Sequence, residues 1–494
     1  MRNRTLTQVR IATLLLPPLG LLWLWGSKQI APRKKVLGTL GIAGYAIPYC
    51  ALWIFLLITF AGLEVEFRGG YLPYFTFHKT KPDYQALEAD RAATRGKTPI
   101  QGTNDVASYW TGYRGPRRDG HYTEQSIGTN WPKAGLKALW RQPVGGGYAS
   151  FAISRGRAFT IEQRREQEVA TAYDLRNGQE LWVSGWPGEF KEQLGGDGPR
   201  ATPEADGDRV YFQGALGELR CLDATSGNLI WRRNIVDENR APELFYGMAA
   251  SPLIVGEQVI VTPGGPKGHS VMAYHKLTGA PLWHCLDDEA AYSSPMEVEL
   301  AGTRQLLVVC ETRLVGLGLD GGKLLWEFPW VVAHGNRNIA QPLLLGSNRV
   351  FLSAGYGTGC LALEIMKTGE EYKARQVWRN NHLKNKFSSS VFQGGYIYGL
   401  DEDILTCLNA TTGARMWKDG RYGYGQIALA SEHLIILSGG GELALVPARP
   451  DKYLEICRFY GINGKTWNHP AISGGKLLVR NSREMACFGL VGQR

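Results

Sequence analysis

LRCLDATSGNLIW (residues 219–231) alternates apolar and polar residues, turns through a short polar stretch, and closes on tryptophan. Asp223 supplies acceptors for turn amides, and Gly227 permits the positive φ that such a turn needs. Two strands alone are marginal in water. The indole adds roughly 150–250 Å² of buriable surface and one N–H that wants an acceptor. This hairpin therefore needs a neighbour to cover it.

The neighbour is another copy. ATAYDLRNGQELW ends at Trp182, VMAYHKLTGAPLW at Trp283, LVGLGLDGGKLLW at Trp326 and LTCLNATTGARMW at Trp417. LALEIMKTGEEYKARQVW carries an insertion and ends at Trp378, and a degenerate copy, LALVPARPDKYLEICRF, ends at Phe459. Counted from Trp140, the end of an orphan LKALW, the intervals are 42, 49, 52, 43, 52, 39 and 42 residues. Periods of this length with several strands each belong to propeller blades. A second pattern precedes each hairpin, as in RATPEA, AASPLIV and YSSPMEV, and a strand follows it, as in RVYFQG (209–214) and RVFLSAG (349–355).

Each unit therefore has four strands. The orphan LKALW lacks a first strand and MACFGL (485–490) lacks a following one, so pairing them makes one more blade and covers two open sheet edges. The expected fold is all-β, an eight-bladed propeller of four-stranded blades closed by its N- and C-terminal strands. Seven blades is the alternative if the Phe459 copy has decayed. Trp140, Trp182, Trp231, Trp283, Trp326, Trp378 and Trp417 are expected to dock between blades and donate to the neighbour's backbone.

The +10 net charge is local. Residues 1–63 hold seven of the 55 Lys and Arg and none of the 45 Asp and Glu, which leaves +3 beyond them. No basic stripe remains to serve a nucleic acid. VLGTLGIAGYAIPYCALWIFLLITFAGL (36–63) runs 28 residues without a charge, enough to cross a bilayer with tilt. IATLLLPPLGLLWLWG (11–26) is shorter, with two prolines, and either spans or dips in and returns. The expected division is a membrane anchor over 1–63, a linker over 64–105 containing one short helix at 83–93, and a propeller over 106–494. Four positive charges in 26–35 stay cytoplasmic, which places the propeller in the periplasm or outside the cell, tethered to the inner membrane.

The Asp-x-x-x-Gly-x-x-x-Trp turn resembles the tryptophan-docking motif of quinoprotein β-propellers. That superfamily includes pyrroloquinoline-quinone (PQQ) dehydrogenases and the outer-membrane β-barrel assembly lipoprotein. With the lead-in YRGPRRDGHY (113–122), the chain is most similar to bacterial PQQ-like repeat proteins. The resemblance implies the fold, with PQQ and calcium as a conceivable cofactor pair. The adjacent cysteines of many soluble PQQ alcohol dehydrogenases are absent, since Cys50, Cys221, Cys285, Cys310, Cys360, Cys407, Cys457 and Cys487 are all separated. No calcium ligand or catalytic Asp transfers to a position in this sequence.

Other motifs carry little chemistry. GYGTG (355–359) is followed by a strand and offers no helix N-terminus to a phosphate. HCLDDE (284–289) reads as a solvated loop, and HExxH, CxxC and GxSxG are absent. No metal site is expected. What remains is the axial mouth, where residues leading into the innermost strands converge: Tyr148, Arg200, Tyr246, Tyr292, Asn336, Asn338, Asn385, Phe387, Tyr424, Trp467 and His469. Aromatic and amide groups suit a peptide, glycan or quinone-like ligand. Arg200 and His469 are the expected partners for an anion. The expected role is a membrane-tethered binding or scaffolding module for protein or envelope polymer. The alternative is a PQQ-dependent or other quinone-linked dehydrogenase.

Overall fold

The computed structural model describes residues 9–10, 13, 16–28, 30–69, 73–77, 81–94 and 109–491. Arg2, Arg4 and residues 95–108, on which part of the anchor and linker reading falls, lie outside the described residues. The chain divides into a small unit (1–66 with 72–79) and a large one (67–71 with 80–494).

The small unit holds helices α1 (Pro17–Gly26) and α2 (Pro32–Ala61) and a two-stranded ladder pairing Glu64–Glu66 with Tyr74–Thr76. Pro17 and Pro18 open α1, where the missing N–H groups have no helical partner in any case. Residues 9, 10 and 13 are also helical and Leu16 is extended, so the two prolines mark an interruption within the apolar segment 11–26 and begin a new helix. Lys35 Nζ donates to Trp25 O at 3.0 Å and Trp25 Nε1 to Thr39 Oγ1 at 3.0 Å, tying the two helices together. α2 is 30 residues long with an 18-residue stretch at a mean hydropathy of 1.9, long and apolar enough to cross a membrane by length and composition.

The large unit is an eight-bladed β-propeller. Blades 1 to 7 occupy residues 152–187, 204–234, 253–285, 296–329, 343–380, 391–421 and 426–460, each an antiparallel sheet of four strands running outward from the axis. Blade 8 joins Ala471–Ser473, Lys476–Arg480 and Glu484–Gly489 to Ala138–Pro143. Glu484 pairs with Pro143 and Cys487 with Trp140, so the two orphan strands do close the ring.

The docking motif has three parts. A small residue faces each indole across the outer ladder: Ala172 opposite Trp182, Cys221 opposite Trp231, Cys407 opposite Trp417 and Cys487 opposite Trp140. The turn glycine of the next blade lies on the ring. A Cβ on Gly178 would stand 2.5 Å from Trp140, and one on Gly227 2.6 Å from Trp182, so these glycines serve the packing as well as their φ of 73° and 74°. Finally the indole N–H reaches a turn carbonyl: Trp140 to Leu175 (3.2 Å), Trp182 to Ala224 (3.1 Å), Trp231 to Lys276 (2.9 Å), Trp378 to Ala410 (3.0 Å) and Trp417 to Arg449 (3.0 Å).

Two tryptophans depart from the expected backbone acceptor. Trp283 donates to Gln258 Oε1 (2.6 Å), whose Nε2 passes the contact on to Leu319 O (3.3 Å) in the next blade. Trp326 donates to Gln305 Oε1 (2.6 Å) within its own blade. The following hairpin in blade 5, Gly359–Thr368 with Glu371–Asn380, is the lengthened copy and has no short turn at that place. Phe459 takes the indole's position at the boundary of blades 7 and 8, 6.0 Å from Trp131, with Gly135 lying on its ring.

Residues 109–122 thread the centre of the ring. His121–Tyr122 adds a parallel fifth strand inside blade 7. Arg114 and Arg118 are buried and hold the carbonyls that begin the innermost strands: Arg114 reaches Ser390 O (2.8 Å), and Arg118 reaches Ser251 O (3.2 Å), Pro252 O and Pro295 O (2.8 Å). Arg118 also meets Glu204 at 2.7 Å, and a Cβ on Gly112 would collide with that carboxylate at 1.9 Å.

Helix α3 (Tyr84–Thr94), capped by Asp83 at Ala86 N (3.0 Å), belongs to the same unit. Its Arg91 reaches Glu180 (3.0 Å) and Tyr173 OH (3.2 Å) of blade 1. These join a polar seam at the closure. Glu162 is fully buried, 3.0 Å from Arg164, while Arg480 of blade 8 donates to Thr160 Oγ1 (2.6 Å) and Gly145 O (2.9 Å). The neighbouring guanidinium groups outweigh burial and hold Glu162 at a pKa of about 2.

Candidate functional site

The loops from the outermost strand of one blade to the innermost strand of the next, and the turns between the two middle strands of each blade, share one face of the ring. On that face the axis opens as a cavity of about 400 Å³. Its lining includes Tyr113 of the threaded segment and His469 before blade 8, and its walls are rich in aromatic side chains.

The structure brings Tyr148, Arg200, Tyr246, Tyr292, Asn336, Phe387, Trp467 and His469 together around this cavity. Their convergence follows from topology, because each lies just before an innermost strand. Tyr424 stands behind Phe387, with ring centroids 5.4 Å apart. Asn338 and Asn385 do not reach the lining. Asn338 is buried, donates to Ala340 O at 2.7 Å and accepts from Trp330 Nε1 at 3.3 Å. Asn385 is buried, takes a hydrogen bond from Ser390 Oγ (2.8 Å) and donates to Leu400 O (3.2 Å). Both amides satisfy backbone and side-chain groups within the blades, which alternation along a loop does not reveal.

The two residues expected to meet an anion are otherwise engaged. His469 is buried, with Nδ1 2.7 Å from Pro470 O and Nε2 3.3 Å from Arg114 Nη1. Burial, then the adjacent guanidinium, push its pKa down to about 3, so the ring is neutral and offers no charge. Arg200 donates to Gly198 O (3.0 Å) and Gly196 O (2.9 Å) and lies against Tyr148, Phe190 and Tyr246, at 5.5, 5.1 and 5.8 Å from their centroids. It fastens the 192–198 loop.

Sequence reasoning missed two lysines and a piece of the linker. Lys386 lines the cavity, with its ammonium 4.8 Å from the Tyr356 centroid and 4.9 Å from that of Tyr424. Burial lowers its pKa. Lys465 stands 4.0 Å from the Trp467 centroid and donates to Gly195 O. Both are cation–π contacts in partly dry surroundings. Lys386 sits between Asn385 and Phe387, so the same positional rule reaches it. Phe67 and Gly69 also line the cavity, and Lys386 Nζ donates to Gly69 O at 2.6 Å. Nothing local in EVEFRGG (residues 64–70) marks this role.

Two polar atoms of the lining have no partner among the described residues: Gln426 Oε1 and Trp467 Nε1, both buried. Outside the cavity the same face carries exposed apolar side chains, with Phe245 at 65% and Val331 at 62% exposure, and Leu194 at the lining is 47% exposed.

A PQQ and calcium pair needs carboxylate oxygens for the cation and a carboxylate to take the alcohol proton. Among the described residues the cavity lining contains no Asp or Glu. Glu192, close by in sequence, is turned onto the amides of Leu194 (2.6 Å), Gly195 and Gly196 (3.2 Å). Among the described residues no three His, Cys, Asp or Glu side chains gather as a metal site. The donor set does not fit the pair.

Comparison with known proteins gives a consistent placement. The PQQ_2 family model, described as outer membrane protein assembly factor BamB, matches residues 165–419. BamB of Burkholderia pseudomallei strain K96243 is 22% identical over 399 residues, which span 72% of this chain and 93% of that protein. Among solved structures, BamB from Moraxella catarrhalis superposes with a TM-score of 0.52 at 15% identity, covering 73% of this chain and 99% of its own. Quinohemoprotein alcohol dehydrogenase from Comamonas testosteroni gives 0.55 at 12% identity, covering 83% and 84%. At these identities the two structures speak to fold alone.

Proposed function

The chain belongs to the PQQ_2 family, described as outer membrane protein assembly factor BamB, and from that premise we propose that it is a protein-binding scaffold. In this reading the propeller is held to the inner membrane by α2, stands in the periplasm, and receives a protein partner on the face that carries the axial cavity. The carrying observation is the chemistry of that face: aromatic side chains in the cavity, exposed Phe245, Val331 and Leu194, and no carboxylate in the lining among the described residues. Large apolar side chains on exposed loops of a rigid scaffold are the usual anchors of protein recognition, and a calcium-assisted alcohol oxidation needs carboxylates that this lining lacks among the described residues.

The test is site-specific photo-crosslinking in growing cells. A photoreactive residue at Phe245 or Val331 is expected to yield a discrete adduct with one protein. The same residue at Ser226 or Thr412, on the turn side, is expected to yield none. Adducts of equal strength from both faces, or from neither, overturn the reading. So does a saturable quinone absorbance with dye-coupled alcohol oxidation when PQQ and calcium are added to the purified chain. Protease added to intact spheroplasts should digest the propeller, and protection would refute its placement.

A further inference from the structure

A piece of the chain far from the blades in sequence already forms part of the cavity wall. Phe67 and Gly69 form part of its wall, and the carbonyl of Gly69 is held by Lys386 at 2.6 Å. Gly69 has φ +83°, and a Cβ there would lie 2.5 Å from Tyr424 and 2.7 Å from Phe387. Only glycine permits both the backbone conformation and the ring contact. Lys386 itself is enclosed by the rings of Tyr356, Phe387 and Tyr424, at 4.8, 5.5 and 4.9 Å. This is a clamp for one backbone carbonyl, walled so that the residue bearing it has no side chain.

The same lining leaves one buried acceptor, Gln426 Oε1, and one buried donor, Trp467 Nε1, without partners. A buried group left in that state is destabilising, and a peptide bond offers the complementary N–H and C=O together. Polar groups so placed in an aromatic cavity select a backbone more readily than a lone charge.

We infer that the axial cavity is a binding site for a peptide turn carrying an aromatic residue two positions before a glycine, and that Phe67–Gly69 is its built-in occupant. The inference deepens the scaffold reading and rests on it. A partner segment of that chemistry enters by displacing Phe67–Gly69, and the carbonyl of its glycine takes the Lys386 ammonium. The tethered segment competes at an effective concentration on the order of millimolar, so the wild-type cavity is screened from weak ligands.

The experiment uses the full chain in detergent micelles and a fluorescein-labelled peptide of residues 65–72, followed by anisotropy. Gly69→Val expels the resident segment. It is expected to bind the peptide at least ten-fold more tightly than wild type, and Lys386→Met added to it is expected to abolish that gain. A peptide carrying valine at the position of Gly69 should not bind. Phe67→Ala, which removes bulk only, gives a second and smaller gain that does not depend on how the chain tolerates a valine. Equal binding by wild type, Gly69→Val and Phe67→Ala overturns the inference, as does binding that survives Lys386→Met. Crosslinking at Phe245 reads the scaffold role independently, since that side chain stands outside the cavity. Adducts there without peptide binding would sink this inference and leave the scaffold intact.

Discussion

On the turn side of the ring, blade after blade repeats one solution: an indole, a small residue across the ladder, and a glycine and carbonyl from the next blade. On the mouth side the blades differ, with Tyr148, Arg200, Tyr246, Tyr292, Asn336, Phe387, Tyr424 and Trp467 at related places. The first side is selected for holding neighbours together, and a contact that works between two blades works between all. The second gathers different groups about one centre, where repetition has no use. Substitutions should therefore cost stability on the turn side and leave it nearly unchanged at the mouth.

The sharpest break comes from Trp182→Ala. It empties an interblade site walled by Phe159 and Phe212, and about 3–5 kcal/mol should be lost in denaturant unfolding. Glu162→Gln tests the seam where the ring closes, and about 3 kcal/mol is expected at neutral pH because Arg164 loses its buried partner. The sign with acid is fixed. Glu162 has a folded pKa of about 2, below its unfolded value of 4.5, so its stabilisation is complete above 4.5 and disappears as pH falls toward 2. Wild type and variant should converge in stability across that window, and parallel curves would remove Glu162 from the seam.

Trp231→Phe keeps the ring and deletes the N–H to Lys276 O, for about 1 kcal/mol. At the mouth, Lys386→Met should shift stability by less than about 1 kcal/mol, because the desolvation that lowers its pKa already offsets what its contacts contribute. A loss as large as that of Trp182→Ala would erase the contrast between the two sides. The smallest change is expected from His469, whose imidazole NMR shifts should stay flat from about pH 5 to 8. Titration in that range would return it to the role of a cation.

The sequence displays what recurs. Hairpins, turn glycines, the number of blades and the pairing of 138–143 with 484–489 all follow from copies aligned against one another. Even the exception at Trp326 is foreshadowed by the long insertion before Trp378. The mouth is legible only in part. Position before an innermost strand finds Tyr148 and Trp467, but not that Asn338 and Asn385 turn inward to satisfy their own blades. His469 looks like a cation until Arg114, 355 residues earlier in the chain, is found beside it. Phe67 and Gly69 carry no periodic signal, since their place is fixed by contacts with Lys386, Phe387 and Tyr424, far away in the chain.

The threaded segment settles how the ring meets mechanical load. Arg114 and Arg118 precede the closing strand Ala138–Pro143 in the chain and grip carbonyls belonging to blades 3, 4 and 6. Tension entering from the N-terminal side thus reaches a bolt seated across several blades before it reaches the seam of blade 8. A pull that would unzip an ordinary outer strand is shared among parts of the ring that have no covalent stake in it.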